Sequence, residues 1–164
     1  LDAKRVKPSG GGRVTELVIR PLFSLYYPEL SQIIQPLSGE YAGFREIFEA
    51  IPFPIGYGIE TSMLLDIYRR WGMAAMAQVD LDKRVHRNPS TLALGRMAFG
   101  IMQTFFERLS AEGRIALTEP LHEAMIQYEL EGESYARQEY AMAQRERPPI
   151  VTIGDYLSRK ETRA

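Results

Sequence analysis

Between Pro89 and Gly113 the chain carries Leu94, Met97, Ala98, Ile101, Phe105 and Leu109 at helical spacing, with no proline inside the run. That spacing collects all six on one side of an α-helix, and so apolar a side must be covered by another part of a fold. Asn88 reads as the cap, and Pro89 as the first helical residue, where a missing N–H costs nothing. Everything else has to be arranged around this helix in short pieces, because 10 prolines and 13 glycines punctuate the 164 residues.

The pieces can be read in order. Thr15 is a candidate cap for a short helix in which Leu17, Val18, Phe23 and Tyr26 recur at near-helical spacing, with Pro21 kinking or opening its main part and Pro28 stopping it. The stretch from Gln35 to Glu40 is turn-like and leads into a second helix carrying Phe44, Ile47 and Phe48, closed by Pro52 and Pro54. From Glu60 to Trp71 a third helix aligns Leu64, Ile67, Tyr68 and Trp71, with Gly72 as its terminator. Met73 to Val79 is an apolar run suited to a buried strand, although its alanines and methionines also suit a helix. The pattern predicts a last helix over Pro120 to Leu130, which the charged stretch from Glu131 to Arg147 could continue as far as Pro148 and Pro149. Residues 1–156 are therefore expected to fold and 157–164 to form a disordered tail.

Composition removes several classes of function. An apolar fraction of 45% is enough for a real core. Twenty Lys plus Arg against 21 Asp plus Glu leave a net charge of -1, so nothing attracts the whole chain to nucleic acid or to an anionic membrane. Any anion must be bound locally, as in the basic opening with Lys4, Arg5, Lys7, Arg13 and Arg20. The absence of cysteine excludes disulfides, thiolate metal sites and cysteine nucleophiles, and fits a cytoplasmic setting. No apolar stretch reaches the roughly 20 residues that span a bilayer as a helix. The first residue, Leu1, suggests a piece of a longer chain.

Three constellations carry chemistry. Ser9-Gly10-Gly11-Gly12-Arg13-Val14-Thr15 offers consecutive backbone N–H groups, a guanidinium and a hydroxyl at the start of a helix, which together suit a phosphate or carboxylate. It is no nucleotide-hydrolysing loop, since Arg13-Val14 stands where Lys and Ser or Thr are needed; a flexible linker is the plain alternative. In Arg84-Val85-His86-Arg87-Asn88, residues 84, 86 and 88 share one face if the segment is extended, and that face could meet an anion and a metal. A lone histidine is more often an ordinary surface residue, and His86 would need ligands from elsewhere; His122 is read as such a surface residue. Tyr57-Gly58-Ile59-Glu60 sets a ring and a carboxylate at a helix start, a combination that suits a sugar, although Glu60 could merely complement the helix dipole.

Taken together, Val6-Lys-Pro-Ser-Gly-Gly-Gly-Arg-Val-Thr-Glu-Leu, Arg20-Pro-Leu-Phe23, Tyr27-Pro-Glu-Leu30, Gln35-Pro-Leu-Ser-Gly-Glu40, Ile51-Pro-Phe, Gly56-Tyr57 with Glu60, and Ala75-Met-Ala-Gln-Val-Asp-Leu81 resemble the C-terminal half of the glucosyl-3-phosphoglycerate and mannosyl-3-phosphoglycerate synthases. The likeness is close over the first half of the chain and mainly one of helical pattern beyond Asn88. The resemblance implies an α/β fold, namely the mostly helical, acceptor-binding half of a retaining GT-A glycosyltransferase, whose nucleotide-sugar half has no counterpart here. It implies that Gly12, Arg13, Thr15 and Asn88 bind 3-phosphoglycerate, and that Leu37, Tyr57, Glu60 and Arg84 surround the transferred sugar, with Glu60 and Arg84 the candidates nearest the chemistry. It implies that His86 completes a site for Mg2+ or Mn2+. The partners would be 3-phosphoglycerate and a nucleoside diphosphate sugar, without nucleic acid or membrane, in a homodimer for which the Leu94 to Leu109 face is one possible surface. Packing of that face within its own domain explains the same pattern. The rival reading is a non-catalytic anion-sensing or assembly module that pairs through the same face.

Overall fold

The computed structural model describes residues 12–82, 89–142 and 145–162. Its first helical stretch is continuous from Arg13 but not uniform: Thr15–Ile19 form a π-helical turn, and α1 (Arg20–Tyr26) follows with Pro21 in its opening turn. Pro21 has no N–H to return to the preceding turn, and the chain absorbs that by wider spacing, with the Arg20 N–H bonded to the Thr15 carbonyl five residues back. The widened turn also shifts the apolar face. Ile19, Phe23, Tyr27 and Leu30 point into the core while Leu17 is 75% exposed, and Thr15 lies buried inside the helical stretch rather than capping it.

Helix α2 (Arg45–Ala50) and the short strand β1 (Phe53–Ile55) come next, and then α3 (Ile59–Trp71), which ends at Gly72 with φ 73°, as its sequence predicts. The run after α3 is no strand. Met73–Ala75 make one 3-10 turn, and the chain beyond continues without a partner strand, leaving Val79 and Leu81 exposed. The Gln78 side chain holds it instead, accepting from the Ile34 N–H at 2.7 Å and donating to the Gln32 carbonyl at 2.9 Å.

The long helix α4 (Thr91–Ala111) is capped by Ser90, whose hydroxyl accepts from the Ala93 N–H, so it begins two residues later than Asn88 and Pro89 suggest. Its apolar face is spent within the chain: Ile101, Phe105 and Leu109 are fully buried against Ile19, Phe23, Leu30, Leu64 and Leu65, and Leu94, Met97 and Ala98 pack at the edge of that cluster. Phe105 is the hub, with the rings of Tyr26 and Tyr27 both at 5.8 Å and Phe23 at 6.3 Å. A homodimer would therefore have to form through another surface. α3 and α4 approach so closely at one point that a Cβ on Gly58 would stand 1.9 Å from the Thr104 hydroxyl.

Past α4 the sequence reading fails. Residues 120–130 are not a helix: β2 (Ala124–Glu131) and β3 (Ser134–Ala141) form an antiparallel hairpin closed by Gly132 and Glu133. β4 (Arg145–Arg147) pairs back onto β1, and α5 (Gly154–Glu161) carries helix through residues 157–161 of the segment 157–164 for which a disordered tail is expected. α5 is tied to α2 through Tyr156, whose hydroxyl donates to Glu49 and accepts from Arg45 at 2.9 Å.

One core contact has a titration signature. Tyr27 is 4% exposed; burial and its bond to Glu112 push its hydroxyl up to about 12. The folded state therefore holds this proton more tightly than the unfolded state, so its contribution is complete below pH of about 10 and is lost as pH rises toward about 12. Wild type should lose about 1 kcal/mol more than Tyr27→Phe between roughly pH 9 and 11 in urea unfolding. Parallel pH profiles for the two proteins would contradict this.

Candidate active site

A concavity of about 390 Å³ opens between the turn at residues 36–41 and the start of α3. Leu37, Ser38, Gly39 and Tyr41 form one wall, Ile59, Glu60 and Met63 of α3 the other, and Phe53 of β1 and Met97 of α4 close it. The lining is largely apolar with one carboxylate, an arrangement that can seat the faces of a ring while fixing its hydroxyls.

Local sequence explains the turn. Pro36 is fully buried and anchors it; the Tyr41 hydroxyl donates to the Pro36 carbonyl at 2.6 Å. Ser38 Oγ accepts from the Glu40 N–H at 3.2 Å. Gly39, at φ 72°, adopts a conformation that costs glycine nothing, and its N–H donates to Glu60 Oε1. Burial, and then the nearby Glu60 charge, push the Tyr41 hydroxyl above its ordinary range, so it stays a protonated donor.

A second group lies at the start of α4. Arg13 sends Nη2 to the Pro89 carbonyl at 2.7 Å and Nη1 to Thr91 Oγ1 at 3.3 Å, stapling the end of the glycine loop to the α4 entrance. Gly12 is exposed beside it and Thr15 is buried beneath. A guanidinium carries five donors, so these two bonds leave it able to meet an anion. Thr91 and Met97 are six residues apart on one helix, about 9 Å along its axis. The two groups are thus close neighbours on a single rigid element.

Of the residues expected to surround a sugar, Leu37 and Glu60 line the cleft, whereas Tyr57 stands 47% exposed in the turn before α3 and outside the lining. Arg84, His86 and Asn88 lie outside the described residues, although Arg13 reaches Pro89, directly after them. Tyr41, Phe53 and Met97 were not anticipated. Only Tyr41 had a nearby signal, the turn-like Gln35 to Glu40 just before it; the other two arrive through tertiary packing. His122 behaves as an ordinary surface histidine, with Nδ1 2.9 Å from the Ala124 carbonyl oxygen. Among the described residues no group of three His, Cys, Asp or Glu side chains is placed to hold a metal ion.

No protein-family model matches the chain. Individual proteins do. Glucosyl-3-phosphoglycerate synthase of Petrotoga mobilis is 47% identical over 151 residues, 92% of this chain and 46% of its own length. The chain is a relative of the glucosyl-3-phosphoglycerate synthases. The synthase of Mycolicibacterium paratuberculosis is 40% identical over 88% of this chain and 43% of its own. Among solved structures, mannosyl-3-phosphoglycerate synthase of Rubrobacter xylanophilus superposes with a TM-score of 0.80 at 40% identity, covering 88% of this chain and 47% of that one. The Mycobacterium tuberculosis glucosyl-3-phosphoglycerate synthase, crystallised with Mn2+, UDP and glucosyl-3-phosphoglycerate, gives 0.75 at 38% identity, with 88% and 49% covered. The chain spans about half the length of the synthases it matches, and its mixture of helix and strand is accordingly part of a GT-A fold.

Proposed function

We propose that this chain supplies the acceptor-binding part of a retaining hexosyltransferase that moves glucose or mannose from a nucleoside diphosphate sugar to the 2-hydroxyl of 3-phosphoglycerate, a cytoplasmic enzyme. The observation that carries this reading is the pairing of two sites on α4: the Arg13 guanidinium stapled to its entrance and, about 9 Å along the helix axis, a cleft with a single carboxylate. An acceptor with a phosphate at one end and a reacting hydroxyl near the other fits such a pair. Relatives at 36–40% identity have been crystallised with UDP, UDP-glucose or phosphoglyceric acid, which supports the same substrates here.

In this mechanism Arg13, with the N–H groups around Gly12 and the Asn88 side chain, fixes the acceptor so that its hydroxyl meets the anomeric carbon, and Thr15, buried beneath, supports the turn from within. The hydroxyl oxygen forms the new bond on the face that the diphosphate leaves, and the hydroxyl proton departs with the diphosphate. Leu37 and Glu60 hold the transferred sugar inside the cleft, Arg84 joins them, and Tyr57, exposed in the turn before α3 and outside the lining, could meet the sugar only from the rim. Mn2+ or Mg2+ accompanies UDP in structures of the relatives. Among the described residues no three His, Cys, Asp or Glu side chains are grouped to hold such an ion, so His86 would join ligands supplied from outside these residues.

The test is calorimetric titration of 3-phosphoglycerate into the full-length enzyme, with and without Arg13→Ala. Loss of one or two charge-assisted bonds should weaken acceptor binding about tenfold or more while nucleotide-sugar affinity holds. Equal acceptor affinity in the two proteins would remove Arg13 from the site, and no binding by wild type would favour the non-catalytic module.

A further inference from the structure

Tyr41 is the one aromatic ring in the cleft that also holds the cleft wall together. Its hydroxyl donates to the carbonyl of Pro36, a fully buried residue, in a part-buried bond of 2.6 Å. Three residues on, the Gly39 amide leaves the same turn and meets the Glu60 carboxylate. These contacts form one path: buried Pro36, the Tyr41 hydroxyl, the Leu37-Ser38-Gly39 turn, and Glu60 in the first turn of α3. The path fixes both the apolar wall at Leu37 and the direction of the carboxylate opposite it. A turn at the surface, with Gly39 and Glu40 exposed, would otherwise sample several geometries.

We propose that Tyr41 is a positioning residue for the sugar: by holding the Pro36 carbonyl it sets the turn whose Gly39 amide aims the Glu60 carboxylate at the sugar hydroxyls. This rests on reading the cleft as the site of the transferred sugar. Orientation matters because a carboxylate held in place loses no freedom when sugar arrives, so the clamp acts on donor binding. The acceptor, held at Arg13, should be indifferent to it.

Tyr41→Phe keeps the ring that lines the cleft and removes only the hydroxyl. In the full-length enzyme it should raise KM for the nucleotide sugar about fivefold, the size of one net hydrogen bond, with kcat within twofold and KM for 3-phosphoglycerate unchanged. Gly39→Ala, which places a side chain at positive φ and turns the amide, should produce the same split. Melting temperature is measured alongside. If wild type turns over and Tyr41→Phe has the wild-type donor KM, the positioning role is overturned while the proposed function stands. A rise in both KM values with a lower melting temperature would mean general loosening and would overturn it too. Wild type without turnover would overturn both readings.

Discussion

Arg108→Ala is expected to lower the free energy of unfolding by about 3–5 kcal/mol, the range for removing one partner of a buried ion pair. Arg108 lies on α4 at 9% exposure and sends Nε and Nη2 to the same oxygen of Asp66 on α3, at 3.2 and 3.0 Å; Nη2 also reaches Glu146 on β4. It thereby joins three elements, and β4 in turn pairs with β1, whose Phe53 lines the cleft. Without the guanidinium, Asp66 at 7% exposure loses its hydrogen-bonded cation and keeps the weaker influence of the Arg69 charge, against which Glu146 acts. Burial already pushes the Asp66 carboxyl above its usual range although Arg108 pulls the other way. In the variant that rise can only grow. A carboxyl raised in the folded state takes up its proton more readily there, so the penalty should be full near neutral pH and shrink as pH falls toward the unfolded value of about 4. The double replacement Arg108→Met with Asp66→Leu should recover most of the loss, because it exchanges the two buried charges for apolar groups, and Glu146, which also loses the guanidinium, has a side chain 42% exposed and is solvated by water. Urea unfolding at two pH values reads all of this; an Arg108→Ala protein within 1 kcal/mol of wild type would show that the pair contributes nothing.

Local patterns that agree with tertiary packing were legible in the sequence, and those that depend on it were not. α3 and α4 could be read because their apolar residues face a core; Gly72 correctly marks the end of α3, whereas Asn88 and Pro89 put the start of α4 two residues before its Ser90 cap. The hairpin was missed although its signal was present: Ile126, Tyr128 and Leu130 alternate with Gln127 and Glu129, and Gly132 stands at the turn. The charged residues of β3 masked it, because that strand is solvated along most of its length and lacks an apolar side. Met73 to Val79 misled in the opposite sense, as apolar composition without a strand to pair with does not make a strand. For the site, the turn from Gln35 to Glu40, Glu60 at a helix start and Arg13 after three glycines were visible as sequence. Tyr41 bonding Pro36, Arg13 reaching Pro89 and Met97 closing the cleft are contacts across 5, 76 and about 60 positions, and no local rule encodes the longer two.

Glu60→Gln should lower kcat/KM of the full-length enzyme by about a hundredfold while leaving its melting temperature nearly unchanged. The structure separates two roles of this side chain. As a clamp, Oε1 accepts from the Gly39 N–H, a bond that a glutamine oxygen can also accept. As a charge, it faces a cleft walled by Leu37, Tyr41, Phe53, Met63 and Met97, where a hydrogen bond to a carboxylate is stronger than one to a neutral amide. Glutamine therefore preserves the turn and removes only the charge. Hydrogen bonds to charged groups are worth roughly 1.5–3 kcal/mol, which corresponds to about tenfold to a hundredfold or slightly more. Two further comparisons locate the effect. Glu60→Ala should lose the clamp as well and so fall below Glu60→Gln, with the extra loss appearing in donor KM and resembling that of Tyr41→Phe. Arg13→Ala combined with Glu60→Gln should give the product of the two separate losses, since Arg13 serves the acceptor at the entrance of α4 and Glu60 the sugar in the cleft. If Glu60→Gln stays within threefold of wild type, the carboxylate charge has no part in the transfer, and the role of Glu60 is structural, as in its bond to Gly39.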